Sequence, residues 1–311
     1  MKPRTFDIAR GKWRSILVEL GVPDHHLVNR HGPCPICQGT DRFRWDNKDG
    51  EGTYFCSGCG AGNGMTLAMG WTGLSFRDCA DRIDQICSYA PADKSPTITD
   101  ADRAQKTHQR LLTISKGLQE VGDLDPVARY LRSRGIKRIP KKYLRYHPKM
   151  PYYDGGFQGH YPAMVAAFRR PDGKVETYHI TYLTTEGHKA DVRSARKVVG
   201  VQKGLAGCAI RLSETAEHIG IAEGIETALS VTELYGVPCW ASYSANSLEA
   251  FQPPEGVTSI TIYPDADANF TGQAAAAACA KRLAFAGYNV NMPAFPEMGS
   301  DYNDILRSKT W

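Results

Sequence analysis

Two CxxC pairs constrain this chain more than any other feature. Cys34 and Cys37 form the first, Cys56 and Cys59 the second, and 18 residues lie between them. Each pair makes a tight knuckle that offers two thiolates to one ion, with Pro33, Pro35, Gly58 and Gly60 supplying the turn conformations. Four thiolates close a tetrahedron and leave no position for substrate, so the expected ion is a single structural Zn2+. Its binding energy is expected to replace the core that so short and polar a segment lacks. His31 stands next to the first knuckle as an alternative ligand.

The residues between the knuckles suit two short strands and a turn, which is zinc-ribbon spacing. In "DRFRWD", strand alternation puts Phe43 and Trp45 on one face and Arg42 and Arg44 on the other. If the aromatic face is exposed, it could stack unpaired bases while the arginines hold phosphate. If it is buried, the same rings cover the ribbon's small core.

The chain has nine cysteines, an odd number, and its opening "MKPRTFDIARGKW" has no apolar signal core. Thiols kept reduced or bound to metal are therefore expected, in a cytoplasmic protein with no membrane partner. Cys79 and Cys87 fall with Phe76, Ile83 and Ile86 on one helical face and read as packing residues.

The net charge of +5 conceals a separation of sign. Residues 129–211 hold 18 Lys and Arg against 5 Asp and Glu, whereas residues 212–311 hold 4 against 12. A polyanion with its metal ions accounts for both excesses, since phosphates need cations and divalent cations need carboxylates.

Organisation follows the same division. A zinc-ribbon domain is expected over 1–88, a linker and connecting helix over 89–125, a basic mixed-sheet part over 126–212 and a parallel-sheet part over 213–311. The Pro/Ser/Asp/Thr-rich stretch from Ser88 marks the first boundary, a helical pattern covers Ala101 to Val121, and Asp125 caps a helix with Pro126 in its first turn. "YPAMVAAF" and "VETYHITYL" read as antiparallel strands. After Glu217, strands and helices alternate, with helices expected at Ile225 to Tyr235, near Ser247 to Phe251 and at Thr271 to Ala286. The fold class is thus α+β and α/β, multidomain.

Two of the later strands end in acid. Glu223 follows "IGIA", and Asp265 and Asp267 follow "ITIYP", where open parallel sheets place their ligand crevice. Residues two apart in an extended segment face the same way, so Asp265 and Asp267 can share an ion. Asp301 and Asp304 in "GSDYND" add a third acidic group. Carboxylates gathered this closely repel one another unless divalent cations neutralise them, and Mg2+ suits a few carboxylates plus phosphate oxygens. Glu226 reads only as a first-turn helix acid and is left out of the set.

With these residues in view, "IAEGIETALS", "YPDADANFTG" and "SDYNDIL" resemble the TOPRIM domain, and "GPCPICQGTDRFRWD" with "GTYFCSGCGAGNGMTLAM" resembles the zinc ribbon of DNA primases of satellite phages, prophages and plasmids. The resemblance implies a nucleotidyltransferase that builds short RNA primers on a single-stranded DNA template from ribonucleoside triphosphates. It implies Glu223 as catalytic acid, base or ligand, Asp265 and Asp267 as ligands of one or two Mg2+ or Mn2+ ions, and Asp301 and Asp304 more loosely as further ligands. It also gives the basic segment a role in holding template and nucleotide, with Lys189, Arg193, Arg196, Lys197 and Lys203 joining Arg42, Arg44 and Trp45 as candidates. A GxxxxGK[ST] loop is absent from the sequence, so a separate replicative helicase is the expected partner. A TOPRIM nuclease and a non-catalytic single-stranded DNA-binding factor are the rival readings; a topoisomerase would need a nucleophilic tyrosine and a strand-passing gate for which the chain is too small.

Overall fold

The computed structural model describes residues 4–93, 100–154, 156–200 and 204–309. The chain divides into two units, Met1–Gln105 and Lys106–Trp311.

The first unit places α1 (Thr5–Ala9) and α2 (Trp13–Glu19) before an antiparallel sheet of β1 (Phe43–Trp45), β2 (Tyr54–Cys56) and β3 (Gly60–Gly62), then α3 (Gly64–Thr72) and α4 (Phe76–Cys87). β1 and β2 pair Phe43 with Cys56 and Trp45 with Tyr54. Asn63 and Thr66 cap α3 reciprocally, and the Ser75 hydroxyl accepts from the Asp78 N–H at 3.2 Å to start α4. Phe43, Trp45 and Tyr54 pack with Trp13, Met65 and Leu67 in one core. The ribbon therefore has apolar packing beyond its cysteine pairs, because the helices around it supply the partners its own sequence lacks. Gly64 is required at this contact: a Cβ there would lie 2.1 Å from the Trp13 ring. On α4, Cys79, Ile83, Ile86 and Cys87 are buried as their spacing predicts, while Phe76 is exposed.

This unit extends past the boundary expected at Ser88. Asp93 accepts from the N–H groups of Arg14 and Ser15 at 3.2 Å each, supplying α2 with the cap its own sequence does not provide. The expected linker over 94–99 lies outside the described residues.

α5 (Asp100–Lys116) leads into the second unit, which continues through β4 (Gln119–Glu120), α6 (Pro126–Ser133), β5 (Leu144–Tyr153), β6 (Phe157–Arg169), β7 (Val175–Tyr182), β8 (Arg196–Val198) and β9 (Ala209–Ile210). There follow β10 (His218–Ala222), α7 (Ile225–Tyr235), β11 (Cys239–Ala241), α8 (Ala245–Glu249), β12 (Ser259–Tyr263), α9 (Thr271–Phe285), β13 (Asn289–Asn291) and α10 (Tyr302–Lys309).

Ten strands form one sheet in the order β13-β12-β10-β11-β9-β6-β5-β4, with β7 and then β8 branching from β6. β10 to β13 pair in parallel, whereas β5 to β8 are antiparallel. β9 joins the two halves, pairing with both β6 and β11. The basic and acidic parts thus share one sheet.

Helices cover both faces of the parallel half. α7 and α10 pack with Ala222, Cys239 and Tyr263 on one side, and α8 and α9 pack with Ile221, Trp240 and Ile262 on the other. This is the layering that alternating strands and helices impose. β10 and β12 lie side by side at its centre, so the acids that follow them emerge at the same edge.

No helix among the described residues is long and apolar enough to cross a membrane.

Candidate metal centres and polyanion site

The zinc candidate is built from the two knuckles. Cys34 and Cys59 bring their sulfurs to 3.8 Å, as do Cys37 and Cys56. All four ligand atoms lie within 4.8 Å of one another, and no other group of three or more His, Cys, Asp or Glu among the described residues does so. His31 is not part of it. Backbone N–H groups of Cys37, Gly58 and Cys59 point at the sulfurs of Cys34 and Cys56 at 3.4–3.5 Å. The Gly39 backbone holds the Cys37 thiol down to about 7, while the neighbouring Cys37 pushes Cys59 up to about 12. Thiols that compete this strongly for protons suit a shared dication, and the donor set fits Zn2+.

The ribbon rings are oriented inward. Phe43 and Trp45 share a face, as alternation predicts, but they are 1% and 5% exposed. Trp45 is therefore not an open stacking surface, a correction to the base-binding role given it above: the surrounding helices turn this face into core. Arg42 lies alongside Gly39 and Gly58 at the knuckles, and the exposed ring on this sheet is Phe55.

In the second unit, β10 ends at Ala222 and delivers Glu223, held at its carbonyl by the Tyr243 N–H at 2.7 Å. Tyr243 has φ of 82°, a left-handed conformation costly for an aromatic residue and kept only where surrounding structure enforces it. β12 ends at Tyr263 and delivers Asp265 and Asp267. Asp267 accepts from the Gly272 N–H at 3.1 Å, capping α9 with one oxygen. Gly272 permits this approach, since a Cβ there would sit 3.1 Å from both the Asp265 carbonyl and the Asp267 carboxylate. Asp301 accepts from Asn303 and Asp304 N–H groups at 2.7 and 2.9 Å, and Asp304 accepts in return from the Asp301 N–H at 3.3 Å. That reciprocal cap starts α10. The Thr227 hydroxyl stands 3.5 Å from the other Asp301 oxygen, and Ala266 N–H bonds to the Ser300 carbonyl, tying the third acidic group to the second.

The acids act on one another. Burial, then Glu223, Asp301 and Asp267, push the Asp265 carboxyl up to about 7. Burial and Asp267 raise Glu223 as well, against the opposing pull of Arg196. The Asp265 Oδ1 atom is buried without a hydrogen-bond partner. An orphaned carboxylate oxygen among mutually repelling acids is a setting that a divalent cation relieves, but no three of these carboxylates bring their oxygens within 4.8 Å of one another as the four thiols do.

Glu226, omitted by the sequence reading, is central here. It is 7% exposed, accepts from the Tyr130 hydroxyl, and lies 3.7 Å from Lys189 Nζ. Burial alone would raise its carboxyl, yet Tyr130, Lys189 and Arg196 hold it below the usual range. A helix acid three residues after the strand-end acid Glu223 was the one available signal; its partners come from distant segments.

The basic candidates divide. Lys189 is paired with Glu226, Arg193 lies 3.7 Å from Asp154, and Lys197 donates to the Tyr153 carbonyl while standing 3.8 Å over the Tyr152 ring. Arg196 acts on both Glu223 and Glu226. Lys203 lies outside the described residues.

Family models match three segments: a zinc-binding domain of primase-helicase at 29–65, a domain of unknown function at 104–212, and a Toprim domain at 218–310. Among solved structures, the zinc-binding and RNA polymerase domains of the Aquifex aeolicus primase match at 14% identity and TM-score 0.45, over 99% of this chain and 83% of that one. The primase fragment of the bacteriophage T7 primase-helicase matches at 17% and 0.40, over 91% and 99%. A Pseudomonas aeruginosa DNA primase domain matches at 14% and 0.44, over 66% and 74%. The four clustered thiols and the acids at the ends of β10 and β12 fall within the matched domains, and the chain joins a primase-helicase zinc-binding domain to a Toprim domain.

Proposed function

We propose that this chain is a DNA primase that joins ribonucleotides into short RNA primers on single-stranded DNA. The observation that carries the reading is the buried, unpartnered Oδ1 of Asp265 among Glu223, Asp267 and Asp301, with Arg196 acting on the same group. In this reading Glu223, Asp265 and Asp267 hold Mg2+ or Mn2+, with Asp301 and Asp304 as further ligands or as the residues that fix the loop. When bound, such ions favour ionisation of an attacking hydroxyl and neutralise charge on a departing pyrophosphate.

The chain's own residues orient and neutralise. A cation held there would favour the ionised form of Asp265, whose carboxyl burial and the neighbouring acids push up to about 7. Glu223, with its affinity for a proton raised, is suited to accept one at its carboxylate from the 3′ hydroxyl. Lys189, beside Glu226, and Arg196, whose charge lowers Glu223 and Glu226, suit the triphosphate, while Arg42, Arg44, Arg193 and Lys197 suit the template backbone. The zinc unit contributes template engagement, and strand separation is left to a separate helicase. The replicon served would be a phage, a prophage or a plasmid, in a cytoplasmic setting.

The test is incubation with single-stranded DNA, Mg2+ and labelled ribonucleotides, followed by sizing of the products. Labelled oligomers that depend on the template support polymerisation; shortened DNA supports a nuclease, and a gel shift with neither supports a binding factor.

A further inference from the structure

We propose that the tip of the β5–β6 hairpin is a stacking platform for the unpaired bases of a single-stranded nucleic acid. Tyr153 and Phe157 close the hairpin opposite one another and are 50% and 54% exposed. Their rings meet at 5.7 Å, and Phe157 meets exposed His160 at 5.0 Å, so three rings form one connected surface in water. Rings of this size are seldom left together in solvent without a partner.

Cations border the surface. Lys197 Nζ sits over the Tyr152 ring and donates to the Tyr153 carbonyl, while Arg193 stands beside Asp154. Beside Tyr153 opens a cavity of about 430 Å3, lined by Arg110, Ile114, His147, Met150 and Pro151 as well as by Tyr153 itself. Rings for stacking, cations for phosphate and an adjoining recess wide enough for a base match single-stranded nucleic acid. Duplex bases offer no free faces to such rings, and the excess of 18 Lys and Arg over 5 Asp and Glu in residues 129–211 selects a polyanion.

The strand β8 links this surface to the acidic group. Neighbouring residues of a strand point to opposite faces. Lys197 turns to the hairpin tip with Ile180 opposite it, and Arg196, paired with Thr181, lies on the opposite face of the strand. A nucleic acid held at the tip is thus bordered by the same edge strand that supplies a cation to the proposed catalytic site. The platform rests on the primase reading for the role of that strand, though not for its own existence.

The experiment measures anisotropy of a fluorescein-labelled oligo(dT) with the full chain over a series of salt concentrations. Tyr153→Ala/Phe157→Ala should weaken binding by at least about tenfold with the salt slope unchanged, because the lost contacts are to bases. Tyr153→Phe/Phe157→Tyr should restore it. Lys197→Ala should reduce the slope by about 0.7, the signature of one lost phosphate contact. Oligo(dT) binding unaltered in the double alanine variant overturns the proposal, as does a ring-dependent affinity for anionic lipid vesicles with none for oligo(dT). If the wild-type chain makes no primers but the ring substitutions abolish oligo(dT) binding, the platform stands and the primase reading falls.

Discussion

Lys189 Nζ lies 3.7 Å from the buried carboxylate of Glu226, on which the Tyr130 hydroxyl also converges. Lys189 comes from the loop before β8, Tyr130 from α6 and Glu226 from the first turn of α7, so one carboxylate gathers three elements. Removing either partner strands a charge that burial penalises. Lys189→Met should cost about 1–2 kcal/mol, below the value for a fully buried pair because Lys189 is 42% exposed. Tyr130→Phe should cost about 1–3 kcal/mol through the lost hydrogen bond. Urea unfolding of each variant checks both values. The folded Glu226 carboxyl is held below its unfolded value, so this stability should be full above about pH 4.3 and fade as pH falls through the lower folded value.

Asp265 has the opposite sign. Its carboxyl is raised to about 7, so the folded chain binds more protons there than the unfolded one. Without divalent ions, stability from this group is complete below about pH 3.9 and is lost as pH rises through about 7. Asp265→Asn should therefore be more stable than wild type at pH 8, by on the order of 2 kcal/mol, with the difference vanishing at pH 4. Adding Mg2+ at pH 8 should stabilise wild type and leave Asp265→Asn unmoved. Thermal melts across pH, with and without Mg2+, measure this, and a variant that responds to Mg2+ as wild type does would remove Asp265 from the ligand set.

The zinc-binding unit should carry one Zn2+ per chain. Cys56→Ser removes a buried ligand and should abolish stoichiometric zinc, measured by metal analysis, while the unit loses its cooperative melt. Since the thiols must be deprotonated to hold the ion, zinc retention against a chelator should weaken as pH falls. Full zinc content in Cys56→Ser would contradict the four-thiol set.

Asp267 has two tasks, one in capping α9 and one proposed in metal binding. Asp267→Asn keeps an oxygen for the Gly272 N–H and should cost less than about 0.5 kcal/mol, whereas Asp267→Ala should cost about 1 kcal/mol. Primer synthesis should fail in both. Activity retained by Asp267→Asn alone would reduce the residue to its cap.

Much of this was legible because strong local signals coincide. The run to Ala222 ends in Glu223 and that to Tyr263 is followed by Asp265, so the acids at one sheet edge could be read from where the apolar residues stop. α7 spans Ile225–Tyr235 as its sequence predicts, because Gly224 and Gly236 delimit it. β5 was not legible: Pro148 and Pro151 interrupt its pattern, and the pairing shifts register between His147 and Met150 to pass the first of them. Alternation identified which ribbon rings share a face but not whether that face is buried, which the surrounding helices decide. Glu226 was missed because Tyr130 lies 96 residues away in sequence, and its charge balance exists only in the folded chain.

The most direct test of a catalytic Toprim centre is template-dependent primer synthesis by Glu223→Gln, compared with wild type at equal zinc content and equal melting temperature. Wild type with Mg2+ should make labelled oligoribonucleotides and the variant none. Undiminished synthesis by Glu223→Gln would contradict such a centre.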